Sequence, residues 1–526
     1  MATSLTLNAL TLPIFLAFFA VFVFLGFYGA RWRKGNLNQL GDWALAGRRL
    51  GTWLVFFLVG ADLYTAYTFV AIPSGVFGKG SFYAYAIPYV AITFGVALAF
   101  APRLWTVSRE NGYITGSDFV KGRFNSTTLS ILVAITGIVA LLPYIGLQIV
   151  GMQSVLAAMF AADGISGNVQ EYALIAAFII LAAFTYTSGL RGATLTAVFK
   201  DILIWVGVIS VILFALGAIG GNFAEAFAKA AAAKSTVNFV TVPSATVYGY
   251  ETTVIGSALA LYLYPHAING VLSSQSAQKL RISTSMLCLY GLGLAFLALF
   301  GVLIYAFPNS LAFIKTFPAA NQGIEVVPTL MINVLPGWLA GIALLGVFVG
   351  GLVPAAIMAI AQANLLSRNI IKEFKPSLTE KGEVRIAKWA SAAFKFIALG
   401  FVFITPLTYS VQLQLLGGVI IIQLLPSLFL GLYTTWFKKE GLIVGLLAGL
   451  ASGIYMALAA NKYGTSAYSG LSTSLYSLYT NFPVLYIAVI ALALNLVIAA
   501  AISAAIPRRV PTMPSQRAQK VTAAKP

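Results

Sequence analysis

One cysteine and one histidine in 526 residues leave little from which to build a disulfide framework or a nitrogen- or sulfur-ligated metal site. Acidic side chains are scarce as well, 14 Asp and Glu against 32 Lys and Arg. No Gly-rich phosphate loop, metal-ligand cluster or nucleophile motif is found, which removes nucleotide-dependent and kinase-like chemistry. No acid, base and nucleophile come together, so neither an enzyme nor a cofactor is expected. Charged residues of both signs make up only 9% of the chain, while hydrophobic residues make up 60%. That balance excludes an ordinary soluble domain and reads as an all-α, polytopic membrane protein. Cys288 lies within an apolar run and says nothing about redox compartment.

What is present is a series of thirteen apolar runs, from 10–30 to 482–506, each about as long as the roughly 20 residues that cross a bilayer as a helix, or longer. The first is too long for a signal-peptide core and has its basic residues after it, so it reads as a retained helix. The net charge of +18 does not point to nucleic acid, because its distribution follows the membrane. With the N-terminus outside, 25 of the 32 Lys and Arg fall on the cytoplasmic side. The positive-inside rule then places the N-terminus outside and the C-terminus inside a multi-pass protein of the cell membrane. The basic tail 507–526 is expected to touch anionic headgroups. External loops 219–250 and 308–335 are long enough to cover an outer vestibule.

Two of the runs are unlike lipid-facing helices. In 52–77, Gly60, Ala61 and Asp62 sit near mid-membrane, with Thr65 and Thr68 beyond and Pro73 after them. A carboxylate at that depth costs about 3 kcal/mol or more unless it faces protein or water. In 251–275, the only histidine, His266, follows Pro265 in mid-span. Each is either a kinked helix with its polar group paired to a neighbour, or half of a site. The second comes five helices after the first and runs in the opposite direction, the pattern of two inverted halves, 52–218 and 251–436, with a site where they meet.

Further polar groups lie at membrane depth. Lys200 and Asp201 sit in 191–218, Lys200 roughly 13 Å in from the cytoplasmic end at about 1.5 Å per residue. Adjacent positions point about 100° apart, so one of the two is expected to pair with another helix, and Asp62 is the partner expected for Lys200. Lys395 is shallower and is expected to snorkel towards the cytoplasm. Tyr144 and Gln148 share a helix face, and Gln412, Gln414 and Gln423 lie in 409–436. These groups either line a polar cavity or hold helices together.

The chain resembles the solute:sodium symporter family, whose fold is the five-plus-five inverted repeat of the leucine transporter. The resemblance runs through Ala46-Gly-Arg-Arg-Leu-Gly-Thr-Trp53, Tyr186-Thr-Ser-Gly-Leu-Arg-Gly192, Leu365-Leu-Ser-Arg-Asn-Ile-Ile-Lys372 and Gln423-Leu-Leu-Pro-Ser-Leu-Phe-Leu-Gly-Leu-Tyr433. More narrowly, Leu263-Tyr-Pro-His-Ala267, Phe199-Lys-Asp-Ile202 and Gly351-Leu-Val-Pro-Ala-Ala-Ile-Met358 resemble the monocarboxylate permease branch. The resemblance implies a sodium site built from the backbone oxygens of Ala61 and Tyr64 and from two hydroxyls of the eighth core helix. Those hydroxyl positions fall on Val353 and Pro354 in one register and on Ala359 and Ile360 in another, and none of these carries a hydroxyl. Sodium needs about five or six oxygen ligands, so the resemblance implies a vacated site in which the Lys200 amine stands. It also places His266 and Thr68 near substrate-binding positions of sugar-transporting members.

These readings converge on a secondary transporter with a leading helix and loop (1–51), the two halves, an external loop (219–250), two peripheral helices (437–506) and the tail. The expected activity is import of a small monocarboxylate of the lactate, pyruvate or propionate kind, coupled to protons through Lys200, Asp62 and Asp201 and independent of sodium. Thr65, Thr68, His266, Tyr144, Gln148 and Gln412 are the expected substrate contacts, and no metal ligand is expected. A sodium-coupled symporter of a carboxylate, amino acid or other small solute is the alternative, and a transporter-fold sensor or a channel comes after it.

Overall fold

A computed structural model describes residues 5–33, 35–165, 167–404, 410–463, 474–478 and 482–506. The tail 507–526 lies outside the described residues. Lipid offers no partner to a free N–H or C=O, so apolar runs of this length close their hydrogen bonds internally as helices. They are α1 (Thr11–Tyr28), α2 (Thr52–Leu63), α3 (Ile72–Lys79), α4 (Ala86–Glu110), α5 (Thr127–Ala162), α6 (Val169–Ser188), α7 (Leu190–Ala218) and α8 (Val247–Ala260). There follow α9 (Pro265–Leu272), α10 (Ala277–Met286), α11 (Cys288–Leu303), α12 (Gly337–Leu365), α13 (Glu380–Ile404), α14 (Ser410–Ile421), α15 (Lys439–Tyr463) and α16 (Ile487–Ala505).

Eleven helical stretches among the described residues are long and apolar enough to cross a membrane, twelve with the bent pair formed by the segment ending at Leu263 and α9. The expectation of thirteen treats 52–77 as one crossing; in the structure its first part, α2, is too short to span alone. Shorter helices also occupy the loops, at Phe223–Ala233, Pro308–Ile314 and Val326–Val334.

α12 is the axis of the molecule, nearly every residue of it buried, and it packs on α1, α5, α7 and α13. Small residues allow the approach: a Cβ on Gly351 would lie 2.5 Å from the Gln148 carbonyl oxygen of α5. α15 and α16 pair with each other at the periphery. Lys395, on α13, does not snorkel. Its side chain is fully buried and its ammonium donates to Ser391 Oγ at 3.0 Å, because that face of α13 turns towards the neighbouring helices rather than towards a headgroup.

The two interruptions have distinct causes. Pro265 opens α9, and a residue before proline is pushed out of the helical region; Tyr264 accordingly sits at φ −63°, ψ 138°, and the chain bends by 54°. In the first segment Tyr64 leaves the helix at φ −89°, ψ 79°, and Tyr67–Ala71 then forms a wide π-type turn before α3.

At the face rich in basic loops the two interrupted segments are tied together. Leu50 N–H donates to the Ser273 carbonyl at 3.2 Å, and Gln275 N–H donates to the Leu50 carbonyl at 2.9 Å. Beside them Asp118 accepts from Arg368 at 3.0 Å and Asn369 at 2.8 Å, while Glu383 pairs with Arg368 and Lys372. These groups are part-buried, so losing the central carboxylate costs about 1–3 kcal/mol. In a Cys288→Ser background carrying Ile268→Cys, Asp118→Ala is expected to raise the rate of maleimide labelling at position 268 by roughly tenfold. An unchanged rate would show that the cluster does not hold this face closed.

Candidate ion and substrate site

A broken helix leaves backbone groups without partners at the depth where water is absent, and each of them costs free energy until something binds it. In the first segment they are taken up in sequence. The Leu63 carbonyl accepts from the Thr68 hydroxyl, and Thr65 Oγ accepts from Tyr67 N–H at 3.2 Å. Gln148, on α5, accepts from Ala66 N–H at 3.0 Å and donates to the Tyr144 carbonyl at 3.2 Å. The remaining carbonyls, Ala61 and Tyr64, accept from the Lys200 ammonium at 3.1 and 2.7 Å. Lys200 is 0% exposed, and α7, which carries it, packs along α2.

The counter-charge is not the expected one. Lys200 Nζ lies 3.0 Å from Asp201 Oδ1, an ion pair by distance rather than a well-aligned hydrogen bond. Adjacent Cβ atoms point about 100° apart, but the four-carbon stem of lysine bends back far enough to close the pair. Asp201 Oδ2 accepts from the Tyr290 hydroxyl at 2.8 Å. Tyr290 meets Tyr64 edge to face with ring centroids 4.5 Å apart, so the ion pair and the break share one aromatic wall. Tyr290 was not singled out from the sequence, where it is one tyrosine in an apolar run.

Asp62, 3% exposed, makes no ion pair with Lys200, and among the described residues neither carboxylate oxygen has a hydrogen-bond partner. It faces the second break: Oδ2 is 4.0 Å from where a Cβ would stand on Gly270. His266, in the first turn of α9 and 0% exposed, has both ring nitrogens unpartnered among the described residues. Its ring lies 5.6 Å from that of Tyr144 and 5.4 Å from that of Tyr264. The Tyr262 hydroxyl and Asn269 Nδ2 are further buried, unpartnered polar atoms on the same segment, neither picked out from sequence. The repeated signal was available: polar side chains flank Pro265 on both sides.

The structure therefore brings Ala61, Tyr64, Lys200 and Asp201 together at the first break, and Tyr144 and His266 together at the second. Thr65, Thr68 and Gln148 are engaged by the backbone of the first break. Val353 and Pro354 lie within buried α12, where Pro354 interrupts the ladder of hydrogen bonds without ending the helix. Gln412 is half-buried on α14.

Gly151 of α5 touches the break directly, since a Cβ there would come within 2.4 Å of the Ala66 Cβ. Overpacking of this kind costs about 1–3 kcal/mol. Gly151→Ala is expected to cut the transport rate at least tenfold, with protein still present in the membrane at more than half the wild-type amount. A wild-type rate would show that the break does not need this close approach.

Interrupted helices whose loose backbone ends converge on buried charges define a membrane transporter rather than an enzyme. The sodium:solute symporter family profile matches residues 43–449, and the chain belongs to that family. A monocarboxylate transport permease protein of Rhizobium johnstonii is 38% identical over 510 residues, covering 96% of this chain and 99% of the relative. An uncharacterized symporter of Bacillus subtilis, YodF, is 34% identical and covers 82% of this chain and 84% of its own. Among solved structures, a Na+-coupled sialic acid symporter in a substrate-bound outward-open state superposes with a TM-score of 0.74 at 14% identity, over 95% of this chain and 98% of that one. The fold is that of the leucine-transporter-like carriers, and the protein is a multi-pass membrane symporter that moves a small solute with an ion.

Proposed function

We propose that the solute is a small monocarboxylate and the ion a proton, carried by alternating access between the halves 52–218 and 251–436. The observation that carries this reading is the Lys200 ammonium on the Ala61 and Tyr64 carbonyls, the two backbone oxygens that would otherwise ligand sodium. With valine and proline at 353 and 354, no hydroxyl is offered to a metal there, whereas an amine needs only acceptors. Loss of the Lys200 proton removes the charge that strengthens both carbonyl contacts and the pairing with Asp201, which weakens the hold of α7 on α2 and links proton release to movement of the first broken helix.

The substrate carboxylate is assigned to the start of α9. The N–H groups of its first turn have no intrahelical partner, Pro265 has none to offer, and the adjacent His266 supplies a side-chain donor. Tyr144 and Tyr264 form an apolar wall suited to a short alkyl chain. Thr65, Thr68, Gln148 and Gln412 act around this pocket, the first three by fixing the break. Asp62, unpartnered between the breaks, is the second proton carrier. The basic face is cytoplasmic by the distribution of Lys and Arg, with the N-terminus outside and the C-terminus inside the cell membrane.

A sodium-coupled mechanism is the second reading, favoured by the free carboxylate of Asp62, which would replace missing hydroxyl ligands. Counterflow in proteoliposomes with labelled short-chain acids, amino acids and sugars, with and without sodium, separates the two. Exchange of the acids alone, at equal rates with and without sodium, is expected. Exchange restricted to amino acids or sugars would overturn the substrate assignment, and a strict sodium requirement the coupling assignment.

A further inference from the structure

A cavity of about 320 Å³ lies at the face opposite the basic loops, between the end of α5, the start of α6 and the loop before Val326–Val334. Glu325 lines it and is 2% exposed, with Oε2 buried and unpartnered among the described residues. Gln153, 9% exposed, also lines it, and its amide oxygen has no partner among the described residues. Ser154, Gln170 and Asn321 add neutral polar groups, and Phe160 and Phe317 supply aromatic walls. A mostly apolar chamber with a few convergent oxygen acceptors and a single carboxylate has the size and chemistry of a small-molecule site, not of a bare ion. Its one ionisable group is acidic, so when ionised it repels a carboxylate solute, whereas a cation gains a charge-assisted hydrogen bond and aromatic faces.

We infer that this chamber binds a small organic ammonium, its charged head on Glu325 and Gln153 and its apolar body against Phe160 and Phe317. The consequence for transport follows from the packing. Helix Val326–Val334 rests on α3 and on the π-turn of the first broken helix, and Gly323, just before it, lies so close to Ser74 that a Cβ would come within 2.3 Å of the Ser74 hydroxyl. An ammonium bound here fastens the loop onto the outer half of the moving helix.

Protons compete for the same carboxylate. Burial pushes the Glu325 carboxyl well above the usual carboxylate range, and no charged neighbour contributes to that rise. No other ionisable side chain lines the cavity among the described residues; the nearby Asp163, Glu171 and Lys315 are exposed. Ammonium binding therefore tightens as pH rises through that elevated range.

The test is thermal unfolding of the full chain in nanodiscs, titrated with phenethylammonium chloride, with phenethyl alcohol and sodium chloride as controls. A saturable upward shift in Tm of a few degrees is expected with the ammonium alone, growing with pH. Glu325→Gln, which keeps the shape of the protonated acid, removes the shift, and Asp62→Asn retains it. No shift in the wild type, a full shift in Glu325→Gln, or loss in Asp62→Asn would each overturn the assignment. Because no transport is measured, each of these results leaves the question of proton coupling where it stands.

Discussion

Lys200→Ala is expected to abolish accumulation driven by a pH gradient while leaving substrate exchange measurable. The substitution removes the donor that holds the Ala61 and Tyr64 carbonyls and leaves Asp201 with only the Tyr290 hydroxyl. An unpaired buried carboxylate is destabilising by about 3–5 kcal/mol, so the single variant risks failing to fold for reasons unrelated to coupling. Lys200→Met with Asp201→Asn removes both charges at similar volume and avoids that penalty. In the double variant counterflow of the labelled acid is expected to persist within a few-fold of wild type, and uphill uptake to vanish. Uphill uptake at the wild-type level would show that Lys200 does not carry the coupling proton.

His266→Ala is expected to raise KM for the monocarboxylate by at least tenfold, with a smaller change in maximal rate. A hydrogen bond to a charged group contributes about 1.5–3 kcal/mol, which is roughly a 10- to 150-fold change in affinity. The imidazole lies between two tyrosine rings, so its removal also leaves a cavity, and a rise in KM alone does not separate contact from packing. His266→Gln restores an N–H donor in part of the same volume and is expected to recover at least a third of the lost affinity. A wild-type KM in His266→Ala would make the histidine a packing residue.

Much of this site could be read before any coordinates. Proline at 265 forces Tyr264 out of the helix by local sterics, and a single carboxylate ten residues into an apolar run marks the other segment as irregular. What failed depended on side-chain reach and on contacts between distant segments. The Lys200–Asp201 pair escaped because Cβ geometry was taken for the position of Nζ, several bonds further out. The snorkelling expected of Lys395 failed because the sequence does not tell which face of α13 meets protein. Glu325 was invisible for a third reason: it lies in a loop, and only the packing of that loop over α5 and α3 buries it.

The coupling ion is tested most directly by uphill uptake of labelled lactate into proteoliposomes holding the wild-type chain, with the flux into protein-free liposomes subtracted. An alkaline interior with equal sodium on both sides is predicted to concentrate lactate several-fold inside. An inward sodium gradient at equal pH is predicted to give none. Accumulation under the sodium gradient alone would contradict a lysine standing where the metal ion would bind.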